Sequence, residues 1–352
     1  MKVAIVFFNL GGPDSPAAVR PFLRNLFNDP AIIGAPGPLR WLLAHWISFR
    51  RAPIARKIYD HLGGKSPILE LTDQQARALE QQYTGPDDVK VFISMRYWHP
   101  MSDAAARAVK AFAPDRVVLL PLYPQFSTTT TGSSLNDWRR AASTVGLAVP
   151  SVGVCCYPDA AGLIDALVGL VESGLDDAAK SGKPRVLFSA HGLPKKIVDA
   201  GDPYPQHVEI TARAVVDGLA RADLDWVVCY QSRVGPLQWI GPSTDDEIAR
   251  AAKDGVPVVV VPIAFVSEHS ETLVELDIEY RELAQKLGVP AYHRVATVST
   301  DLRFIGGLKE IVNQALDCIK VGDKRETVTI SCSLSAGACA TSGVHCPRSK
   351  KE

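Results

Sequence analysis

Eight short apolar runs, rich in β-branched residues, are spaced along this chain of 352 residues, and longer stretches of helical pattern separate them. This alternation is typical of βαβ units, in which strands pair in parallel across a sheet. It predicts an α/β fold. The predicted strands lie near residues 2–8, 89–94, 116–121, 150–155, 185–189, 225–230, 257–263 and 290–295.

The second half of the chain repeats the strand pattern of the first half. VAIVFFNLGGP aligns with RVLFSAHGLP, KVFISMRYWHP with WVVCYQSRVGP, and VVLLPLYPQFS with VVVVPIAFVSEHS. Any two α/β halves share apolar strands, so the similar polar or glycine-bearing strand ends are the stronger part of the match. We therefore predict two similar α/β domains that face each other, with a ligand cleft between them.

Composition excludes several classes of function. The 38 basic and 38 acidic side chains cancel, so no surface for nucleic acid is expected. The longest uncharged stretches, 117–136 and 141–158, are interrupted by Pro, Gly, Ser and Thr and do not predict a transmembrane helix. The first apolar run is too short for a signal peptide, so we expect a cytoplasmic protein. In a reducing cytosol the seven cysteines are not expected to form structural disulfides.

The stretch PIAFVSEHSETLVELDIEY, residues 262–280, joins a buried strand to an acidic helical pattern. Ligands of parallel sheets bind at the carboxyl ends of strands, so His269 and the nearby carboxylates indicate a candidate site. Glu271, Glu275 and Glu279 recur every four residues, which places three like charges on one helix face. A solvated helix face, or acids that complement a helix N-terminus, is the alternative interpretation.

His191 follows the first predicted strand of the second half, in FSAHGLP. A lone histidine is more often structural than catalytic. His191 and the His269–Glu271 tip, however, end the first and third strands of one predicted sheet, and the two ends should lie close together.

A long insert separates the first two strands. Its segment PAIIGAPGPLRWLLAHWISFRRAPIARK combines two tryptophans and many aliphatic residues with basic side chains. This composition fits a lip, within about residues 20–60, that covers an apolar ligand and contacts a membrane surface. An ordinary helix packed on the sheet is an equal alternative. The basic residues are Arg40, Arg50, Arg51, Arg56 and Lys57.

Together with YQSRVGPLQWIGP and PLYPQFSTTTTGSSLN, these motifs resemble the ferrochelatases, which insert ferrous iron into a porphyrin. The resemblance covers residues 1 to about 320. It implies two Rossmann-like domains, each a four-stranded parallel sheet flanked by helices, with the porphyrin cleft between them. We expect an N-terminal domain of residues 1–155 plus 303–330, a C-terminal domain of residues 156–302, and an extension of residues 331–352. The LGGP motif lacks the GxGxxG pattern, so no NAD is expected.

Iron insertion requires a base that takes two protons from the porphyrin nitrogens. A neutral imidazole can accept a proton or coordinate iron, and a carboxylate can tune it or bind the metal. The resemblance implies that His191 and Glu271 form the metal-binding and proton-abstracting centre, without deciding which is the base. It assigns Glu275 and His269 to the same catalytic group, with the acidic stripe as a path for iron inward or protons outward.

The resemblance also implies contacts with the macrocycle. Aromatic side chains suit a flat π-system, and Arg96 and Ser127 suit propionates or polar edges. Core packing is the alternative for each aromatic residue. The expected substrate-binding residues are Leu10, Arg96, Tyr97, Tyr123, Ser127, Trp239 and Phe265.

Cys332, Cys339 and Cys346 follow one another among small residues near the end of the chain, a pattern that fits metal or cluster ligation. Some ferrochelatases hold a [2Fe-2S] cluster with C-terminal cysteines and one earlier cysteine. This chain has Thr128 where the animal type has that ligand, so the resemblance implies Cys156 or Cys155 as the fourth. Structural zinc is the competing interpretation. Cys229 and Cys318 are predicted to be buried and inert.

The leading interpretation is a lyase that makes protohaem from protoporphyrin IX and ferrous iron, the last step of haem biosynthesis, in the cytoplasm at the inner membrane. Coproporphyrin III is the alternative substrate. A tetrapyrrole carrier without turnover would not need His191, Glu271 and Glu275, and the motif context favours iron over a cobalt chelatase. A second copy of the chain, in a homodimer, is a further candidate partner.

Overall fold

A computed structural model of the protein describes residues 1–232, 235, 237–319 and 329–331. The chain divides into two compact units. One comprises Met1–Cys156 and a segment that begins at Leu308, and the other spans Tyr157–Gly307.

Strands and helices alternate as the apolar pattern predicts. The strands are β1 Lys2–Asn9, β2 Asp88–Met95, β3 Arg116–Pro121, β4 Ser151–Val154, β5 Arg185–His191, β6 Asp225–Gln231, β7 Val258–Pro262, β8 Tyr292–Arg294 and β9 Thr329–Ser331. The α-helices are α1 Val19–Phe27, α2 Gly37–Asp60, α3 Ile68–Gln81, α4 Ser102–Phe112, α5 Ser133–Val145, α6 Ala161–Ala178, α7 Lys195–Asp199, α8 Tyr204–Leu219, α9 Thr244–Asp254, α10 Tyr280–Leu287 and α11 Leu302–Asp317.

The two sheets share one strand order. The first unit has the order β2-β1-β3-β4-β9 and the second has β6-β5-β7-β8, and every pairing is parallel. The predicted similarity of the two halves is therefore confirmed. The first sheet departs from the expected four strands, because β9 adds a fifth at its edge. With only three residues, β9 is too short to stand out in the sequence.

Burial explains why the strands read as continuous apolar runs. Every residue of β1 after Lys2 is buried, and so is every residue of β7. Helices that cover both faces of a parallel sheet remove the alternation seen in half-exposed strands. In the first unit the ring of Trp138 on α5 packs edge-on against Phe8 of β1, with 5.8 Å between ring centroids.

Both units contain a π-helical segment after the third strand of their sheet. Thr128–Gly132 follows β3 and continues into α5, and Glu271–Glu279 follows β7 and continues into α10. The sequence predicted an ordinary helical pattern at residues 271–279, and the wider i→i+5 turn is a correction. Such turns are rare and frequently occur at functional sites.

The insert between β1 and β2 folds as α1, α2 and α3. Its helix α2 exposes a series of large apolar side chains. More than half of the surface of each is accessible in Leu39, Trp41, Leu42, Trp46, Phe49 and Ile54. Among the helices described here, none combines the length and apolar character needed to span a membrane.

Candidate active site

The carboxyl edge of the second sheet carries the predicted histidine. His191 ends β5 and is in register with Gln231, the last residue of β6. The side chain of His191 is 39% exposed. Ser232 follows Gln231 with a φ of 63°, a left-handed conformation that is uncommon for residues other than glycine. This turn directs the Ser232 hydroxyl toward the acidic π-helix.

His191 and Glu271 form an ion pair. His191 Nδ1 donates to Glu271 Oε2 over 2.8 Å. Burial alone would lower the pKa of His191, but the charge and hydrogen bond of Glu271 outweigh it and raise the pKa. Burial would raise the pKa of Glu271, yet the same pairing, with a hydrogen bond from Ser232, lowers it to about 2. The pair is therefore an imidazolium beside a carboxylate when no ligand competes for it.

Glu275, one turn further along the π-helix, is in a different electrostatic state. Its Oε2 accepts from the Ser232 hydroxyl over 2.5 Å, its Oε1 accepts from the Ser232 backbone N–H over 2.8 Å, and Gln231 Nε2 donates to Oε2 over 3.3 Å. Burial and the charge of Glu271 nevertheless raise the pKa of Glu275 to about 7. Two carboxylates four residues apart thus differ in their proton affinity by several pKa units.

The other members of the acidic stretch take separate positions. Glu279 is exposed to solvent. His269 is buried, its Nδ1 lies 3.2 Å from the Ser267 carbonyl oxygen, and its ring lies on Phe265 with 4.6 Å between centroids. Burial lowers the pKa of His269, so this imidazole is neutral. The predicted three-carboxylate stripe is therefore reduced to Glu271 and Glu275 at the site.

Arg294 on β8 anchors the π-helix and the loop before it. Its guanidinium contacts Glu268 Oε1 at 2.6 Å and also pairs with Asp277. The backbone N–H of Thr297 donates to the same Glu268 oxygen over 2.9 Å. Glu268 thus has a structural role: its ion pair with Arg294 helps to fix the loop and the π-helix that carry Glu271 and Glu275.

In the first unit, Arg96 and Tyr97 surround the buried carboxylate of Asp29. Arg96 Nη2 lies 2.9 Å from Asp29 Oδ2, and the Tyr97 hydroxyl donates to the same oxygen over 2.7 Å. Ser133, the first residue of α5, also donates to it and accepts from Arg96 Nε over 2.6 Å. Asp29 was missed in the sequence, where it stood as one acid within the long insert.

The other predicted porphyrin contacts differ in accessibility. Tyr97 and Ser127 are each 1% exposed. Ser127 accepts from the Thr129 backbone N–H over 3.1 Å and so caps the π-helical segment Thr128–Gly132. Surface is partly accessible on Leu10, Tyr123, Trp239 and Phe265.

Comparison with known proteins identifies the family. The ferrochelatase family matches residues 2–316. The chain belongs to the ferrochelatase family. A ferrochelatase of Caulobacter vibrioides is 53% identical over 340 residues, which cover 96% of this chain and 95% of the relative. A ferrochelatase of Phenylobacterium zucineum is 54% identical over 320 residues, or 90% of this chain and 92% of the relative.

A solved structure, SirB from Bacillus subtilis with Fe3+, supports the fold. It is 12% identical, has a TM-score of 0.52, and the match covers 90% of this chain and 96% of that chain. At this identity the likeness concerns the fold alone.

The cysteines of this ferrochelatase-family chain fall into two groups. Cys155 and Cys156 are buried directly after β4, whereas Cys332, Cys339 and Cys346 lie outside the described residues. Cys229 is buried on β6 as predicted, and burial raises the pKa of its thiol to about 12. Cys318 was expected to be buried and is exposed. It lies just beyond the end of α11 at Asp317, and its thiol donates to the Gln314 carbonyl oxygen over 3.4 Å. Among the described residues no group of three or more potential ligands could hold a metal ion.

Three site residues were not singled out in the sequence. Gln231 and Ser232 hold Glu275, and the Tyr280 hydroxyl lies 3.3 Å from Glu275 Oε1. Gln231 and Ser232 could have been found, since they directly follow a predicted strand at the same sheet edge as His191. Tyr280 could not have been found in this way, because in the sequence its ring looks like another apolar residue on a helix.

Proposed function

We propose that this protein is a ferrochelatase that inserts Fe(II) into protoporphyrin IX and releases protohaem. The observation that carries the proposal is the His191–Glu271 pair, held 2.8 Å apart at the carboxyl edge of a parallel sheet beside a carboxylate with a raised pKa. Such divergence between neighbouring titratable groups is how a site separates proton-accepting from charge-stabilising roles. Membership of the family supplies the reaction type.

His191 is the better candidate for the base. Its Nδ1 faces Glu271, so Nε2 remains to accept a pyrrole proton once the resting proton has left. The ionised Glu271 then orients the ring and stabilises the imidazolium, as a buried carboxylate does beside a histidine. His269 is neutral and held by Ser267 and Phe265, which suits a supporting position.

The same pair suits iron as a passing substrate. His191 and Glu271 offer one nitrogen and two oxygens, fewer than a resident metal site commonly uses. Two protein ligands leave positions for water and for the porphyrin nitrogens, so the ion is released when the macrocycle binds it. Glu275 is linked to this pair through Ser232 and can hold either a proton or a negative charge near neutral pH, because its pKa is raised to about 7.

Porphyrin recognition is divided between contact and support. Leu10, Tyr123, Trp239 and Phe265 keep accessible apolar surface for the macrocycle. Arg96 and Tyr97 are tied to Asp29, and Ser127 caps a helical segment, so we assign these side chains a supporting role within the first unit. Arg96 is 18% exposed, and its remaining donors can reach a propionate.

The proposal is tested by anaerobic Fe(II) insertion with protoporphyrin IX and coproporphyrin III in parallel, followed by absorbance. We expect faster turnover with protoporphyrin IX. Turnover with coproporphyrin III alone would replace the substrate and keep the reaction. Tight porphyrin binding without insertion of Fe(II) or Zn(II) would identify a carrier instead and would refute the enzyme.

We further propose a [2Fe-2S] cluster held by Cys332, Cys339, Cys346 and a cysteine after β4. The register supports it: Val154 pairs with Ser331, so the chain leads from adjacent strand ends into Cys155 on one side and Cys332 on the other. Thiolates are the usual ligands of such clusters.

Iron, sulfide and zinc analysis of anaerobically purified protein, with a visible spectrum, tests the cluster. Two iron and two sulfide per chain would support it, and zinc without sulfide would identify a structural zinc site. Cys156→Ser and Cys155→Ser then compare the two candidates, with Cys229→Ser as a control thiol buried elsewhere. The cluster should disappear in only one of the first two variants.

Helix α2 is the proposed membrane contact. Its exposed apolar side chains are accompanied by cations, with the Arg50 guanidinium 5.8 Å from the ring centroid of Trp46 and that of Arg20 5.2 Å from Phe49. Apolar residues with adjacent arginines favour the interface of an anionic bilayer. Trp41→Ser with Trp46→Ser should abolish co-flotation with vesicles that contain anionic lipid. If the variant instead changes only the oligomeric state, the face is a dimer contact.

A further inference from the structure

The hydroxyl of Tyr280 lies between two carboxylates. Tyr280 begins α10, is 6% exposed, and packs in the apolar core of the second unit with Leu276 and Ala284. Its oxygen is 3.3 Å from Glu275 Oε1 and 3.2 Å from Asp245 Oδ2. A hydroxyl can accept a proton on one side while it donates its own on the other.

The outer end of this bridge reaches solvent. Asp245, on the first turn of α9, is exposed. It lines an open cavity of about 560 Å³ together with Ser243, Gln238 and Asp246. A proton that reaches Asp245 can therefore pass directly to water.

The inner end reaches the His191–Glu271 pair. The Ser232 hydroxyl is 3.4 Å from Glu271 Oε2 and donates to Glu275 Oε2 over 2.5 Å. His191 Nδ1, Glu271, Ser232, Glu275, Tyr280 and Asp245 thus form an unbroken series of polar atoms, each within 3.4 Å of the next.

We infer that Tyr280 and Asp245 carry protons released during porphyrin metallation from Glu275 to the surface, an inference that rests on the function proposed above. In each transfer the carboxylic acid of Glu275 gives its proton to the Tyr280 oxygen, and the Tyr280 O–H gives its own to the Asp245 carboxylate. Glu275 ends ionised and Asp245 protonated, and Asp245 then loses the proton to water. Rotation of the Tyr280 hydroxyl resets the relay.

The geometry favours protons over iron along this branch. A hydrated divalent cation needs room and several oxygen ligands, whereas the link here is one phenol oxygen on a ring packed in the core. Burial and the charges of both carboxylates raise the pKa of Tyr280, so the phenol stays protonated while it passes protons. Glu279, on the exposed side of the π-helix, lies outside the series.

Tyr280→Phe removes the bridging oxygen and keeps the ring. We expect kcat for Zn(II) and Fe(II) insertion to fall about tenfold with KM for the metal unchanged, less than the 10²–10⁴-fold of a direct acid or base because water can partly replace the hydroxyl. Small permeant bases such as neutral imidazole, which can accept the outgoing proton, should restore turnover, and the solvent deuterium isotope effect should rise. Asp245→Asn should act in the same direction.

Tyr292→Phe is the matched control. Tyr292 is a tyrosine of the same core. Its hydroxyl donates to the Leu276 carbonyl oxygen over 2.6 Å, so its acceptor is a backbone group and not a carboxylate. The Tyr292→Phe variant should leave the isotope effect and the response to imidazole unchanged, whatever it does to stability. Unchanged kcat in Tyr280→Phe, or a rise in metal KM alone, would overturn the proton relay. Absence of turnover in the unmodified protein would instead refute the proposed function.

Discussion

The two π-helical segments occupy the same place in the two units and contain opposite chemistry. Thr128–Gly132 follows the third strand of the first sheet, and Glu271–Glu279 follows the third strand of the second. The first is TTTTG, uncharged and capped by the Ser127 hydroxyl. The second begins with a carboxylate that binds His191. The same backbone element, a π-helical segment, is thus uncharged in the first unit and carries the candidate site in the second.

A partly buried arginine lies beside each segment, and the two arginines pair with different acids. In the first unit, Arg96 forms an ion pair with Asp29, and Ser133, at the start of α5, donates a hydrogen bond to the same carboxylate. In the second unit, Arg294 pairs with Glu268 Oε1 and with Asp277. The first segment contains no acidic residue. In the second segment Arg294 does not contact Glu271 or Glu275, which instead accept hydrogen bonds from His191 and from the hydroxyl and backbone N–H of Ser232. The acidic segment therefore carries two titratable carboxylates beside His191, and the uncharged segment carries none.

The largest expected effect is on the charged segment. Glu271→Gln keeps the shape of the side chain and removes the charge that holds His191. We expect insertion to fall by about 10²–10⁴-fold, the usual contribution of a positioned acid or base group, with porphyrin affinity kept. Stopped-flow metallation and porphyrin fluorescence quenching measure the two quantities. Thr130→Val is the isosteric control in the other segment, and normal turnover of Glu271→Gln would remove Glu271 from the centre.

The next effect concerns the anchor of the acidic segment. Arg294→Met leaves Glu268 without its cation and leaves Asp277 with only Arg281, at 3.5 Å. Breaking a buried ion pair in this way costs about 3–5 kcal/mol. Urea unfolding should show that loss in the stability of the second unit. Arg140→Met, which breaks a half-exposed pair with Asp103, should cost less than about 1 kcal/mol. Equal losses would show that burial does not distinguish the two pairs.

A smaller effect should appear in the pH dependence of stability. The folded pKa of Glu275, raised to about 7, lies above the unfolded value of 4.5, so the native state binds more protons between these pH values. Stability should then decrease as pH rises from about 4.5 to 7, by up to about 3 kcal/mol. Glu275→Gln should flatten this decrease. Glu279→Gln, a change to an exposed acid of the same helix, should leave it as it is.

Much of the fold was accessible from the sequence because apolar runs identify buried strands directly. The positions of β1 to β8 followed from the apolar runs, and the proximity of His191 to the His269–Glu271 tip followed from two strand ends of one parallel sheet. The choice of Glu271 as the partner of His191 came from the family resemblance. The π-helical geometry did not follow from the sequence, since the acidic stretch has the same spacing that an α-helix would show. The difference in pKa between Glu271 and Glu275 also depends on Ser232 and on burial, and neither can be predicted from the pattern of residue types. Tyr280 and Asp29 look ordinary in the chain and acquire roles through neighbours distant in sequence.

The smallest effect tests the cap of the uncharged segment. The Ser127 side chain accepts from the Thr129 N–H over 3.1 Å, and Ser127→Ala should remove that bond and cost about 1 kcal/mol. Thermal unfolding measures the loss. Ser270, which precedes the acidic segment without a side-chain cap bond, provides the matched variant, since Ser270→Ala should leave stability nearly unchanged. A similar loss of stability in both variants would contradict this prediction. It would mean that the Ser127 side-chain hydrogen bond does not stabilise the uncharged segment.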